Sequence, residues 1–117
     1  MSSSWPTEIK LDADKRTLTV GFDDGRSFAL PAELLRVLSP SAEVQGHSPE
    51  QRVTVPGKRD VRIVRLEPVG NYAVRIVFDD GHDTGLYVWD YLRDLGENQD
   101  ERFSSYLNEL AAKGLAR

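Results

Sequence analysis

The chain holds only two imidazoles, His47 and His82, and each stands among oxygen-bearing side chains. His47 closes the run Ser39-Pro40-Ser41-Ala42-Glu43-Val44-Gln45-Gly46-His47, and His82 opens the run His82-Asp83-Thr84-Gly85-Leu86-Tyr87-Val88-Trp89. Two imidazoles joined by Glu43, Asp79 or Asp83 would suit zinc or ferrous iron if the two segments met. Nothing in the spacing demands that meeting, and a histidine beside Asp-Gly serves equally as a turn or surface residue. The same residues yield a Ser–His–acid set from Ser39 or Ser41 with His47 or His82. No Gly-x-Ser-x-Gly elbow accompanies them, and such triads are defined by geometry rather than composition. Neither Gly-x-Gly-x-x-Gly nor a P-loop is present, so a nucleotide would find no backbone cradle. The paired carboxylates Asp23-Asp24 and Asp79-Asp80 occupy positions where turns favour aspartate for conformational reasons alone. Cysteine is absent, which removes thiol nucleophiles, disulfides and every cysteine-based metal pattern. The reading is a non-enzyme with no cofactor and no expected metal, His47 and His82 being the alternative metal ligands.

Composition narrows the partners. A length of 117 residues fits one domain over 1–117, large enough to bury a core unaided. A formal charge of −4 argues against general binding to a phosphate backbone, so no nucleic-acid partner is expected. Lys58-Arg59 with Arg62 and Arg65 forms either a local basic patch or a solvated strand face. No apolar run approaches the roughly 20 residues of a membrane helix. The stretch Met1 to Pro6 has neither the basic nor the apolar region of a signal peptide. The expectation is a cytoplasmic protein with no membrane partner.

The elements that must position these residues come as a repeat. Phe22-Asp23-Asp24-Gly25 returns as Phe78-Asp79-Asp80-Gly81, and Ile9-Lys10-Leu11-Asp12 is answered by Val64-Arg65-Leu66-Glu67. Downstream, Pro31 to Leu38 corresponds to Val88 to Leu95, which aligns Leu35-Arg36 with Leu92-Arg93. Leu18, Val20 and Phe22, like Tyr72, Val74, Ile76 and Phe78, alternate as half-buried strands do. Asp24-Gly25 and Asp80-Gly81 supply the positive-φ positions of tight hairpins. Pro31 suits the first position of a helix. Each half therefore reads as strand, strand, turn, strand, helix. The fold class is α+β with antiparallel strands from two similar β-β-turn-β-α halves (core about 9–95). Between the halves, Ser39 to Asp60 carries one short candidate strand, Val53-Thr54-Val55. A C-terminal amphipathic helix over about 98–114 follows, capped by Asn98 with Glu101. Phe103, Tyr106, Leu107, Leu110 and Ala111 form its stripe, and Gly114 ends it.

Three stretches together, Phe28 to Arg36, Ser39 to His47 and Phe78 to Leu92, resemble small bacterial proteins related to the N-terminal domain of gamma-butyrobetaine hydroxylase. The resemblance covers roughly Ile9 to Leu95. It also extends to a domain at the end of an iron–sulfur carrier P-loop ATPase of chloroplasts. In the hydroxylase, catalysis belongs to a separate oxygenase domain using iron and 2-oxoglutarate, for which this chain has neither the length nor a His-x-Asp or His-x-Glu triplet. The resemblance implies a structural zinc held by three cysteines and a histidine. His82 matches the histidine, while Ser39, Ser41 and Val44 fall near the cysteine positions. Serine and valine are not zinc ligands, so this chain departs from the family there. What remains implied is a binding or adaptor domain with a protein partner, accessory to iron–sulfur or metallo-enzyme maturation. Its candidate interaction surface comprises Ser39, Ser41, Glu43, His47, His82, Asp83, Gly85, Tyr87 and Trp89. Tyr87 and Trp89 are either exposed anchors or core of the second half, and Gly85 marks either a close approach or a bulge.

Overall fold

The computed structural model describes residues 5–117; the Met1–Ser4 part of the N-terminal stretch read above lies outside the described residues. The first half runs β1 (Pro6–Leu11), β2 (Thr17–Phe22), β3 (Ser27–Pro31) and α1 (Ala32–Val37). The second repeats it as β4 (Ile63–Val69), β5 (Ala73–Phe78), β6 (Leu86–Val88) and α3 (Trp89–Glu97). Between them lie α2 (Ala42–Gln45) and a 3-10 turn at Pro49–Gln51, and α4 (Gln99–Ala112) closes the chain. Each half forms its own three-stranded antiparallel sheet, in the orders β1-β2-β3 and β4-β5-β6.

Both sheets bury one face in a single shared core. Leu18, Val20, Phe22 and Leu30 meet Ile63, Val74, Ile76, Phe78 and Tyr87, with Leu34 and Leu35 of α1 and Leu92 and Leu95 of α3 between them. Alternation sets this arrangement: a one-residue slip in either hairpin would turn its apolar set toward water. Each buried side chain of this size contributes about 1.5–3 kcal/mol, so the register is strongly fixed.

The two turns are built alike. In each, the glycine N–H donates to the phenylalanine carbonyl, Gly25 to Phe22 and Gly81 to Phe78, at 3.0 and 3.1 Å. The phenylalanine N–H in turn donates beyond the turn, to the carbonyl of Arg26 or His82. Gly25 (φ 86) and Gly81 (φ 92) alone have positive φ there. The turn is thus a type I turn followed by a glycine bulge, a three-residue loop rather than the two-residue hairpin expected from Asp-Gly. Asp24 and Asp80 each accept the N–H two residues on.

The halves hold each other reciprocally. Arg36 of α1 reaches Asp80 in the second turn at 2.7 Å, and its counterpart Arg93 of α3 reaches Asp24 in the first turn, also at 2.7 Å. Close approaches are exchanged as well. A Cβ on Gly96 would stand 2.4 Å from Phe28, and one on Gly85, the counterpart of Phe28, would stand 2.5 Å from Ser39 Oγ, the counterpart of Gly96.

Three local expectations need correction. Val53-Thr54-Val55 is not a strand; α4 pins it instead, as Thr54 donates to Glu109 and Tyr106 O–H donates to the Val55 carbonyl. Asn98 does precede α4 but does not cap it, because its amide turns back to Asp94. Only Tyr106 and Leu110 of the α4 stripe are fully buried; Phe103 is half-buried, and Leu107 and Ala111 are exposed.

Candidate functional site

The first and second halves also meet where the segment after α1 packs against residues 82–85, the irregular segment leading to β6. Ser39 is fully buried, and its Oγ lies 2.9 Å from His82 Nε2. The Ser41 N–H donates to the same Oγ at 3.2 Å. On the other side of the imidazole, Nδ1 lies 3.7 Å from Glu43 Oε1, too far for a hydrogen bond. That carboxylate favours the proton on Nδ1, which leaves Nε2 to accept from the Ser39 hydroxyl.

A closed ring of hydrogen bonds runs beside it. The Glu43 N–H donates to Ser41 Oγ, whose N-cap role starts α2. Thr84 donates its only hydroxyl proton to the Glu43 carboxylate, so across the 2.7 Å Ser41–Thr84 contact Ser41 is the donor. Gln45 adds a bond from its amide to the Ser39 carbonyl. The hydroxyls of Ser39 and Ser41 each have hydrogen-bond partners, which is what permits their burial.

Ser39, His82 and Glu43 stand in the order of a catalytic triad, yet they cannot act as one. Ser39 Oγ has no exposed surface, and the N–H nearest it is spent on Oγ itself instead of on a developing oxyanion. The cluster is also no zinc centre. Its convergent groups are the hydroxyls of Ser39, Ser41 and Thr84 with one imidazole and the single carboxylate of Glu43, short of the three or four thiolate, imidazole or carboxylate ligands a protein zinc site takes. Among the described residues no group of three or more His, Cys, Asp or Glu side chains could hold a metal. His47 is exposed, with its N–H donated to Gln51.

The structure divides the expected surface. Glu43, His47 and Asp83 are exposed and Trp89 is half-buried, whereas Ser39, Ser41, His82, Gly85 and Tyr87 are buried. These five are withdrawn from any docking face. Tyr87 is core, its hydroxyl donating to the Leu35 carbonyl of the other half. Gly85 marks a close approach, to Ser39. Sequence reasoning missed Arg36, Asp80 and Thr84, whose roles depend on partners more than forty residues away.

Electrostatics around His82 follows from its burial. Burial, with the neighbouring Arg36 charge, holds its pKa below the usual histidine value, against the opposing pull of Glu43, Asp80 and Asp83. The folded protein therefore keeps His82 neutral where the unfolded chain would protonate it, and binds fewer protons. Stability is full above the ordinary histidine pKa of about 6.5 and falls as pH drops below it. Thermal unfolding between pH 8 and 5 should show this decline, and His82→Gln should flatten it. A wild-type profile without slope below pH 6.5 would contradict the assignment.

Comparison with known proteins places this geometry. The sequence matches the family described as gamma-butyrobetaine hydroxylase-like, N-terminal, over residues 9–93. One NMR solution structure is 49% identical with a TM-score of 0.84, covering 99% of this chain and 86% of that one. A second is 47% identical with a TM-score of 0.85, covering 99% and 91%. A crystal structure of a protein of unknown function of the DUF971 family from Acidithiobacillus ferrooxidans ATCC 23270 is 40% identical with a TM-score of 0.64, covering 78% and 91%. No curated protein matches.

Proposed function

Because this chain belongs to the gamma-butyrobetaine hydroxylase-like N-terminal domain family, we propose that it works as a non-enzymatic binding module for a protein partner. The supporting observation is an exposed apolar strip on the outer face of β6, Leu86 and Val88, with the aromatic residues Tyr72 and Trp89 at the end of the strand pair. Val88 pairs with Ala73, so Tyr72 and Trp89 adjoin each other across the strand ends. Tyr72 is 52% exposed, and Leu86 and Val88 are 41% exposed each. The Trp89 indole N–H donates to the Asn71 carbonyl at 2.9 Å, which fixes the ring before any partner arrives. Tyr and Trp are residue types enriched at interaction hot spots, and the exposed aliphatic residues extend the apolar area beside them. Glu43, His47 and Asp83 remain as exposed polar neighbours from the surface first expected. On the family resemblance, the partner class is iron–sulfur or metallo-enzyme maturation.

The test is comparative capture from native lysate with wild-type protein and the Leu86→Glu, Val88→Glu double variant. Both positions are exposed, so the fold should persist by circular dichroism. The expected result is a partner retained by wild type and reduced at least about tenfold by the variant, the loss of roughly 1.4 kcal/mol of binding free energy. Equal retention by both proteins would refute this surface, and turnover of any substrate by purified protein would refute the non-enzymatic reading.

A further inference from the structure

Next to the polar cluster, a cavity of about 460 Å³ opens between the segment after α1, α3 and α4. Sites for small molecules span about 300–1,000 Å³, so it is large enough to receive one. Its walls include the Tyr91 and Tyr106 rings and, as charged groups, Arg52 and Arg102 against the single carboxylate of Glu109. Each guanidinium is matched by one carboxylate, Arg52 by Glu109 and Arg102 by Asp94 from outside the lining.

The donors in the cavity are arranged unevenly. Both tyrosine hydroxyls are already used, Tyr91 donating to the Leu38 carbonyl and Tyr106 to the Val55 carbonyl. What these residues offer the cavity is therefore ring surface. Each guanidinium is anchored through one terminal nitrogen, Arg52 Nη2 to Glu109 and Arg102 Nη2 to Asp94. A guanidinium carries five N–H donors in a planar fork, so among the described residues Nε and Nη1 of both arginines are the groups left for a ligand. Anchoring by the carboxylates orients the forks in advance and lowers the ordering cost of binding. Planar forks of this kind match carboxylate and phosphate oxygens two at a time.

We propose that this cavity binds a small organic anion, with its carboxylate or phosphate on Arg52 and Arg102 and its body against the two tyrosine rings. The site is independent of the apolar patch on the second sheet and does not rest on the protein-binding reading.

The experiment is an amide and arginine Nε NMR titration of the full chain with sodium benzoate and, separately, sodium phosphate, at ionic strength held constant with sodium chloride. Saturable shifts centred on Arg52, Arg102 and Ser105 are expected. Response to benzoate alone identifies a carboxylate with an apolar body, and response to phosphate alone identifies a phosphate group. Arg102→Gln should weaken binding at least about tenfold. Ser105→Glu, which adds a negative charge at an exposed position in the cavity wall, should do the same without disturbing the fold. Shifts that fail to saturate, spread over the surface, persist unchanged in both variants, or are absent with both anions would overturn the proposal.

Discussion

Replacing Asp80 with asparagine should cost about 2–4 kcal/mol of folding stability, somewhat less than breaking a fully buried pair because the cluster keeps some contact with water. Asparagine retains the oxygen that accepts the His82 N–H, so the turn itself survives and the effect isolates the charge. Asp80 is held by Arg36 at 2.7 Å and Lys58 at 2.6 Å, with side-chain exposures of 12% and 22% for the cations and 18% for the acid. Arg36 depends heavily on this partner, since its Nη1 is buried with no hydrogen-bond partner among the described residues. Burial alone would raise the Asp80 carboxyl pKa, but bonds from Lys58, the His82 N–H and Arg36 outweigh it and hold the pKa at about 2. The carboxylate's contribution is therefore present above the ordinary value of 3.8 and is lost as pH falls toward about 2. Urea unfolding at pH 7 would measure the loss. The equivalent Asp24→Asn is the control: Asp24 has the same turn role and an arginine at the same distance, but its side chain is 44% exposed, and surface pairs contribute little. Equal losses at the two positions would show that burial is not what gives Asp80 its weight.

Gly85→Ala should destabilise the protein by about 1–3 kcal/mol through overpacking. The added Cβ would stand 2.5 Å from Ser39 Oγ and 3.0 Å from Tyr87 Cε1. Neither neighbour has an easy retreat, because both are fully buried, Ser39 is tied to His82 and Tyr87 to the Leu35 carbonyl. Ser39→Gly removes the obstructing hydroxyl at the cost of leaving His82 Nε2 without its partner, about 1–3 kcal/mol by itself. In the double variant the clash disappears, so the two losses should fall short of additivity by about 1–2 kcal/mol. Strict additivity in a denaturation cycle would mean that the glycine serves backbone conformation rather than contact with Ser39.

Local chemistry carried most of the architecture into view. Alternation of Leu18, Val20 and Phe22, the repeated Phe-Asp-Asp-Gly, and the spacing of Tyr106 and Leu110 each report a periodicity or a turn within a few residues. What stayed hidden was long-range satisfaction of polar groups. Ser39, Ser41 and His82 looked like surface because polar residues usually are; only partners across the chain make them interior residues. The type of turn was misread for a related reason. Asp-Gly suits two hairpin geometries, and the choice falls to the register of the flanking strands. Arg52 and Arg102 gave no signal as a pair, since the loop and α4 that bring them to one cavity are distant in sequence.

The reciprocal grip of Arg36 on Asp80 and Arg93 on Asp24 has the form of an isologous interface, the kind that joins two identical subunits about a two-fold axis. In a homodimer every substitution appears on both sides at once, so such an interface must remain symmetric. A single chain carrying both copies is released from that constraint. Here the Asp80 carboxylate is sheltered and held by two cations while Asp24 stays open to water, and Phe28 fills against Gly96 where Gly85 yields to Ser39. Covalent linkage thus lets one half specialise as brace while its twin remains free to change, a division of labour unavailable to two copies of one half.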